Sequence, residues 1–79
     1  MRLDKYLKVS RLIKRRSVAN EACDTGRIFV NGKVSKASYD VKTDDIIEIH
    51  FGEKIVKARV LKVLEHALKD DAALMYEIL

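Results

Sequence analysis

The sequence predicts an α+β fold, a small single domain with two N-terminal helices packed on a small, mostly antiparallel sheet. Three observations carry this. Apolar residues recur at helical spacing over residues 3–13, a second helical stretch stops at Gly26, and from Arg27 onward apolar and polar residues alternate around an Asn31-Gly32 turn signal.

The first helix sorts its side chains by chemistry. At about 3.6 residues per turn, Leu3, Tyr6 and Leu7 share one face, while Arg2, Lys5 and Lys8 lie away from it. Tyr6 is therefore expected in the core rather than exposed for base stacking. Leu12 and Ile13 add apolar contacts among Arg11, Lys14, Arg15 and Arg16. Ser17 has the chemistry of a helix N-cap, which puts the second helix over residues 18–25 and Arg16 at its entrance. Val18 with Ala22, and Ala19 with Cys23, form i,i+4 pairs toward the core; Asn20, Glu21 and Asp24 are expected outside. Gly26 ends the helix, because without a Cβ it takes positive φ at little cost.

A half-buried strand follows, in which Ile28 and Val30 alternate with Arg27, Phe29 and Asn31. Asn31-Gly32 suits a type I′ hairpin turn, with Lys33-Val34 opening the return strand. Residues 35–41 are irregular and residues 42–45 form a turn; Ile47, Ile49 and Phe51 then alternate with Glu48 and His50 in a third strand. After the reversal at Gly52-Glu53, a long strand is expected over residues 54–64, with Val56, Ala58 and Val60 on one face. Residues 65–74 make a short helix or turn, and residues 75–79 a last strand. The domain proper then covers residues 1–64, and residues 65–79 form an extension packed on it.

Charge is unevenly spread. Residues 1–36 hold ten basic and three acidic side chains, residues 37–79 six and nine, so a net +4 conceals a local +7. Seven of the first sixteen residues are cationic and only Asp4 opposes them. Such a face, on a helix pair followed by a hairpin, is expected to dock on the phosphates of structured RNA. An arginine at a helix entrance gains nothing from the helix dipole, whereas an incoming phosphate satisfies both Arg16 and the free N–H groups.

Other chemistries find little support. Cys23, His50 and His66 are far apart in sequence, unlike the paired ligands of zinc sites, so no metal or cofactor is expected. Cys23 belongs in the core as a small hydrophobe, and His50 is expected as a solvated or weakly RNA-contacting side chain. There is no phosphate-loop motif and no Ser-His-Asp ordering, which argues against an enzyme. A single cysteine cannot form an internal disulfide, and no apolar run approaches the roughly 20 residues of a membrane span, so a cytoplasmic protein is expected. The strand-rich remainder argues against DNA, and the lack of a bulky exposed wedge against a membrane surface.

Arg2-Leu3-Asp4-Lys5-Tyr6-Leu7, then Arg16-Ser17-x-Ala19, then Gly26-x-Ile28-x-Val30-Asn31-Gly32-Lys33-Val34, then Val41-Lys42 ahead of Asp45-x-Ile47, together resemble the S-four RNA-binding domain family, named from ribosomal small-subunit protein four. The match covers residues 2 to about 51. Where the family usually has Gly-Asp, this sequence has Asp44-Asp45, and local strain is expected there. The resemblance implies a basic surface holding structured RNA by its backbone, formed by Arg2, Lys5, Lys8, Arg11, Lys14, Arg15, Arg16 and Ser17, with Arg27, Asn31 and Lys33 beside it. Asp4 matches the family's acidic position, either orienting a neighbouring arginine or serving only as an acid at a helix N-terminus. The beginning and the ending AALMYEIL are similar to the short stand-alone members of bacterial ribosome-associated quality control, relatives of the fifteen-kilodalton heat-shock proteins. That kinship implies contact with the large ribosomal subunit, its rRNA and peptidyl-tRNA. It also implies a protein partner that adds alanine to stalled chains; the free chain is expected to be a monomer. The alternatives are a detached helper of a tRNA- or rRNA-modifying enzyme, and a heat-shock-type binder of free large subunits.

Overall fold

A computed structural model describes residues 1–79, in the order α1 (Leu3–Val9), α2 (Arg16–Asp24), β1 (Ile28–Val30), β2 (Lys33–Val34), β3 (Ile46–Phe51), β4 (Lys54–Val60), α3 (Lys69–Ala72) and β5 (Tyr76–Ile78). The five strands form one antiparallel sheet in the order β2-β1-β3-β4-β5. The α+β class read from the sequence is the class of the structure.

Helix α1 buries Leu3, Tyr6 and Leu7, as its periodicity requires. Tyr6 lies in the core, and its hydroxyl donates to the Met75 carbonyl at 2.8 Å, so the buried phenol is satisfied by the C-terminal segment. Arg11, at φ 65°, holds the left-handed position that usually ends a helix with glycine, and its N–H bonds back to Lys8. Ile13 is buried and its N–H reaches the Leu7 carbonyl, pinning the basic loop between the helices.

Helix α2 corrects three expectations. It starts at Arg16 with extended Arg15 as its N-cap, and no side chain caps it; Ser17 is one residue inside the helix and exposed. The start is fixed elsewhere, by the pinned loop and by a contact of Arg16 described below. Val18 is 43% exposed, because Ala19, Ala22 and Cys23 already fill the narrow face that meets α1. Asn20 turns inward, toward a buried acceptor. The C-terminus is as read: Gly26 at φ 74°, with N–H groups of Gly26 and Arg27 returning to the Cys23 and Ala22 carbonyls, closes a Schellman motif.

In the sheet, Ile28 faces Ile49, and Val30 faces Ile47, which faces Ala58, so one side is continuously apolar and packs under the helices. Asn31 (φ 52°) and Gly32 (φ 84°) form the predicted two-residue turn between Val30 and Lys33. Phe51, expected to alternate inward, is 44% exposed at the strand end beyond the helices. Strand β4 ends at Val60 rather than at residue 64, because the N–H groups of Leu61 and Lys62 both bond to the Met75 carbonyl and turn the chain away from β3. The segment after it makes the one-turn helix α3, and β5 adds to the edge of β4, with Val60 opposite Tyr76.

Buried Asp45 ties this side of the sheet together. It accepts bonds from the Asn31 amide (3.0 Å), the Tyr39 hydroxyl (2.9 Å) and the Lys42 N–H (2.9 Å). Its neighbour Asp44 sits at φ 75°, where a side chain is strained and a glycine is not. Asp44→Gly is expected to raise stability by about 0.5–1 kcal/mol, a gain of roughly 3–6 °C in a thermal melt for a domain of this size. An unchanged or lower Tm would show that Asp44 makes a compensating interaction.

Candidate nucleic-acid interface

The N-terminus is bound to the domain before α1 begins. The Met1 carbonyl accepts from the Val41 N–H, the Leu3 N–H donates to the Tyr39 carbonyl, and Arg2 pairs with Asp40 in an isolated antiparallel β-bridge, so the backbone that carries Arg2 is fixed. In the first turn of α1, Asp4 is almost fully buried between the two helices. Its Oδ1 accepts from Arg2 Nε (3.1 Å) and the Lys5 N–H (2.9 Å); its Oδ2 accepts from Arg16 Nε (3.4 Å) and Asn20 Nδ2 (3.2 Å). Burial alone pushes this carboxyl up, but the hydrogen bonds from Arg2, Asn20 and Arg16, with the charge of Arg16, outweigh it and hold Asp4 below the usual carboxylate range.

Asp4 thus holds both arginines by hydrogen bonds, besides being an acid in the first turn of its helix. Each guanidinium meets it through Nε, and the side chains of Arg2 and Arg16 remain 52% and 49% exposed. Two like charges, one at the N-cap of α1 and one in the first turn of α2, are held by one ionised carboxylate. Beyond Nε neither guanidinium donates to another group of the chain, which leaves N–H donors of the kind that carboxylate and phosphate accept.

The remaining candidates separate by position. Lys8, Arg11, Lys14 and Arg15 are exposed at the α1 end and in the loop before α2, and Ser17 is exposed in the first turn of that helix. Lys5 instead reaches across to Glu65 and forms an ion pair with it. That bond and the charge of Lys5 hold the Glu65 carboxyl below its usual range. Arg27 lies past the helix end, with Nε on Thr25 Oγ1 at 3.0 Å, and Lys33 is exposed on β2. The Asn31 side chain is already committed, donating to Asp45 and accepting from the Ile46 N–H at 2.9 Å.

His50, expected as a solvated or weakly RNA-contacting side chain, is only partly exposed: its ring packs at a tilt on Phe29 at 4.6 Å between centroids, and its Nε2 is buried without a hydrogen bond, 3.6 Å from Glu48 Oε1. Cys23 packs in the core, where burial, with the charges of Asp4 and Asp24, pushes its thiol up to about 11 and keeps it neutral. No three of the His, Cys, Asp and Glu side chains converge as metal ligands, and no helix is long and apolar enough to cross a membrane.

Sequence reasoning missed two participants. Asn20 follows Arg16 by four residues on one helix face, a spacing that places both beside the same acid. Glu65 is 60 residues from Lys5, and nothing local announces that contact.

A basic two-helix surface on an antiparallel sheet, with an acid of the first helix holding the arginines that start both helices, defines the class. Residues 1–47 match the family model described as S4 domain, and the chain belongs to that family. Within it, the chain is 57% identical over its whole length to the RQC P-site tRNA stabilizing factor of Streptococcus pneumoniae, covering 90% of that protein. It is 35% identical, over 98% of its length, to a heat shock protein 15 homolog of Aeromonas salmonicida, of which it covers 59%. The trimeric structure of Vibrio cholerae heat shock protein 15 superposes with a TM-score of 0.91 at 26% identity, across all of this chain and 81% of the other.

Proposed function

We propose that this chain is a non-catalytic RNA-binding factor that docks on tRNA and large-subunit rRNA in stalled ribosomal complexes, in the cytoplasm. There it serves ribosome-associated quality control beside the protein that extends stalled chains with alanine. The observation that carries this reading is the Asp4-centred pair of Arg2 and Arg16, half-exposed guanidiniums locked in one orientation. A fork of this kind recognises phosphate geometry, and it lies in the residue range that defines the RNA-binding family. The name of the pneumococcal relative, similar over the full chain, supplies the ribosomal setting and the tRNA. The site supports binding rather than turnover, since its one buried carboxylate is held ionised by four donors and faces no nucleophile.

Binding of a phosphate backbone by many cations releases counterions. The affinity for tRNA is therefore expected to fall with salt, with a log–log slope on the order of −3 to −6. A flat titration contradicts an electrostatic interface. The second reading, a binder of free large subunits, is favoured by the structural likeness to heat shock protein 15. Co-sedimentation decides between them: the proposal expects retention on large subunits carrying peptidyl-tRNA and weak retention on empty ones, and equal retention favours the second.

A further inference from the structure

Beyond the Asp4 site, a cleft of about 520 Å³ opens between the C-terminal end of α1, the loop after it, and residues 65–67. Lys8, Arg11 and Lys14 line one wall; Glu65 and His66 line the other. None of the three cations has a carboxylate partner within the chain. The only acid in the cleft, Glu65, is occupied by Lys5, so the charge that faces solvent is positive. That ion pair also holds the second wall against α1, which brings His66 opposite the basic loop.

We propose that this cleft is a second phosphodiester-binding subsite for RNA, built by Lys8, Arg11 and Lys14 with His66 as an added donor. It rests on the RNA-docking function proposed above and extends it to residues outside the family match, which ends at residue 47. Lys8 is six residues from Arg2, about 9 Å along the helix axis, so the two sites hold different phosphates. Together they fix the direction of the backbone along α1, which a single fork does not. The C-terminal segment gains a role in recognition in addition to its packing under Tyr6.

The test compares the full chain with Lys8→Ala/Lys14→Ala, with His66→Ala, and with Lys54→Ala/Lys57→Ala, which removes the same charge from exposed β4 positions. The probe is bulk tRNA over a salt series, with thermal melts to verify folding. The cleft double variant is expected to lose about tenfold in affinity and to flatten the log–log slope by roughly 1.5–2, while the β4 variant leaves the slope unchanged. His66→Ala is expected to weaken binding roughly threefold. Equal slopes for the two double variants, or wild-type binding by His66→Ala, overturn the subsite. An Arg16→Ala arm separates the failures. If Arg16→Ala weakens binding and the cleft variant does not, only the subsite falls; if neither weakens it, RNA docking falls as well.

Discussion

Arg16→Ala is expected to weaken binding to tRNA and to large-subunit complexes by roughly 1–3 kcal/mol, about five- to 150-fold, as a charge-assisted contact is lost. The fold should hardly notice. Asp4 keeps Arg2, Asn20 and the Lys5 N–H when Arg16 is removed, and the Arg16 side chain is half in water, so stability should change by about 0.5–1 kcal/mol. A phosphate beside Arg16 also reaches the uncapped start of α2, a contribution that a solvated arginine elsewhere does not combine with its charge. Arg2→Ala should behave similarly. Lys62→Ala, exposed and without a carboxylate partner, is the control. Equal binding by Arg16→Ala and Lys62→Ala would show that no focused site exists, and a collapsed melting curve for Arg16→Ala would make that residue structural.

Asp4→Asn carries the other large effect, and its sign is the informative part. The change adds one unit of positive charge to a surface proposed to bind phosphate, so a diffuse electrostatic surface would bind RNA more tightly. The orienting role predicts the opposite, a loss of about tenfold or more, because an amide supplies one acceptor oxygen where the carboxylate met four donors. Stability should fall by roughly 2–3 kcal/mol, since part-buried donors lose a buried acceptor, with a Tm drop on the order of 10–15 °C. The pH dependence follows from the depressed carboxyl. A folded-state value below the ordinary 3.8 means that the Asp4 contribution is fully present above that value and is lost as pH falls through the folded one. The stability gap between wild type and Asp4→Asn should therefore be constant at neutral pH and narrow in strong acid. A gap that persists there would point to packing, not to the charge.

Most of this fold was legible because the local signals agree. The i,i+4 pairing of Ala19 with Cys23, Gly26 at a left-handed position, the Asn31-Gly32 turn and the alternation at Ile28, Val30, Ile47 and Ile49 each act within a few residues. The failures have long-range causes. Ser17 looked like a cap, but the start of α2 is set by Ile13 burial and by Arg16 reaching an acid on another helix. Strand β4 looked longer because its apolar run continues past Val60, yet the Met75 carbonyl takes the next two N–H groups. At the candidate site, the charges could be counted from the sequence, but which of them are engaged could not. Lys5 is paired with Glu65, while Arg2 and Arg16 converge on one carboxylate, arrangements that only the packing of α1 against α2 and the C-terminal segment determines.

A double-mutant cycle measures whether Asp4 acts on RNA through the arginines it holds. Measured on binding to peptidyl-tRNA-bearing large subunits, Asp4→Asn, Arg16→Ala and the double variant should be strongly non-additive. With Arg16 gone, Asp4→Asn has only Arg2 left to disorient, so the double variant should bind more tightly than the sum of the single losses implies, by about 1 kcal/mol or more. Additivity within about 0.3–0.5 kcal/mol would contradict the account, because it would mean that the acid and the arginine act on the RNA independently.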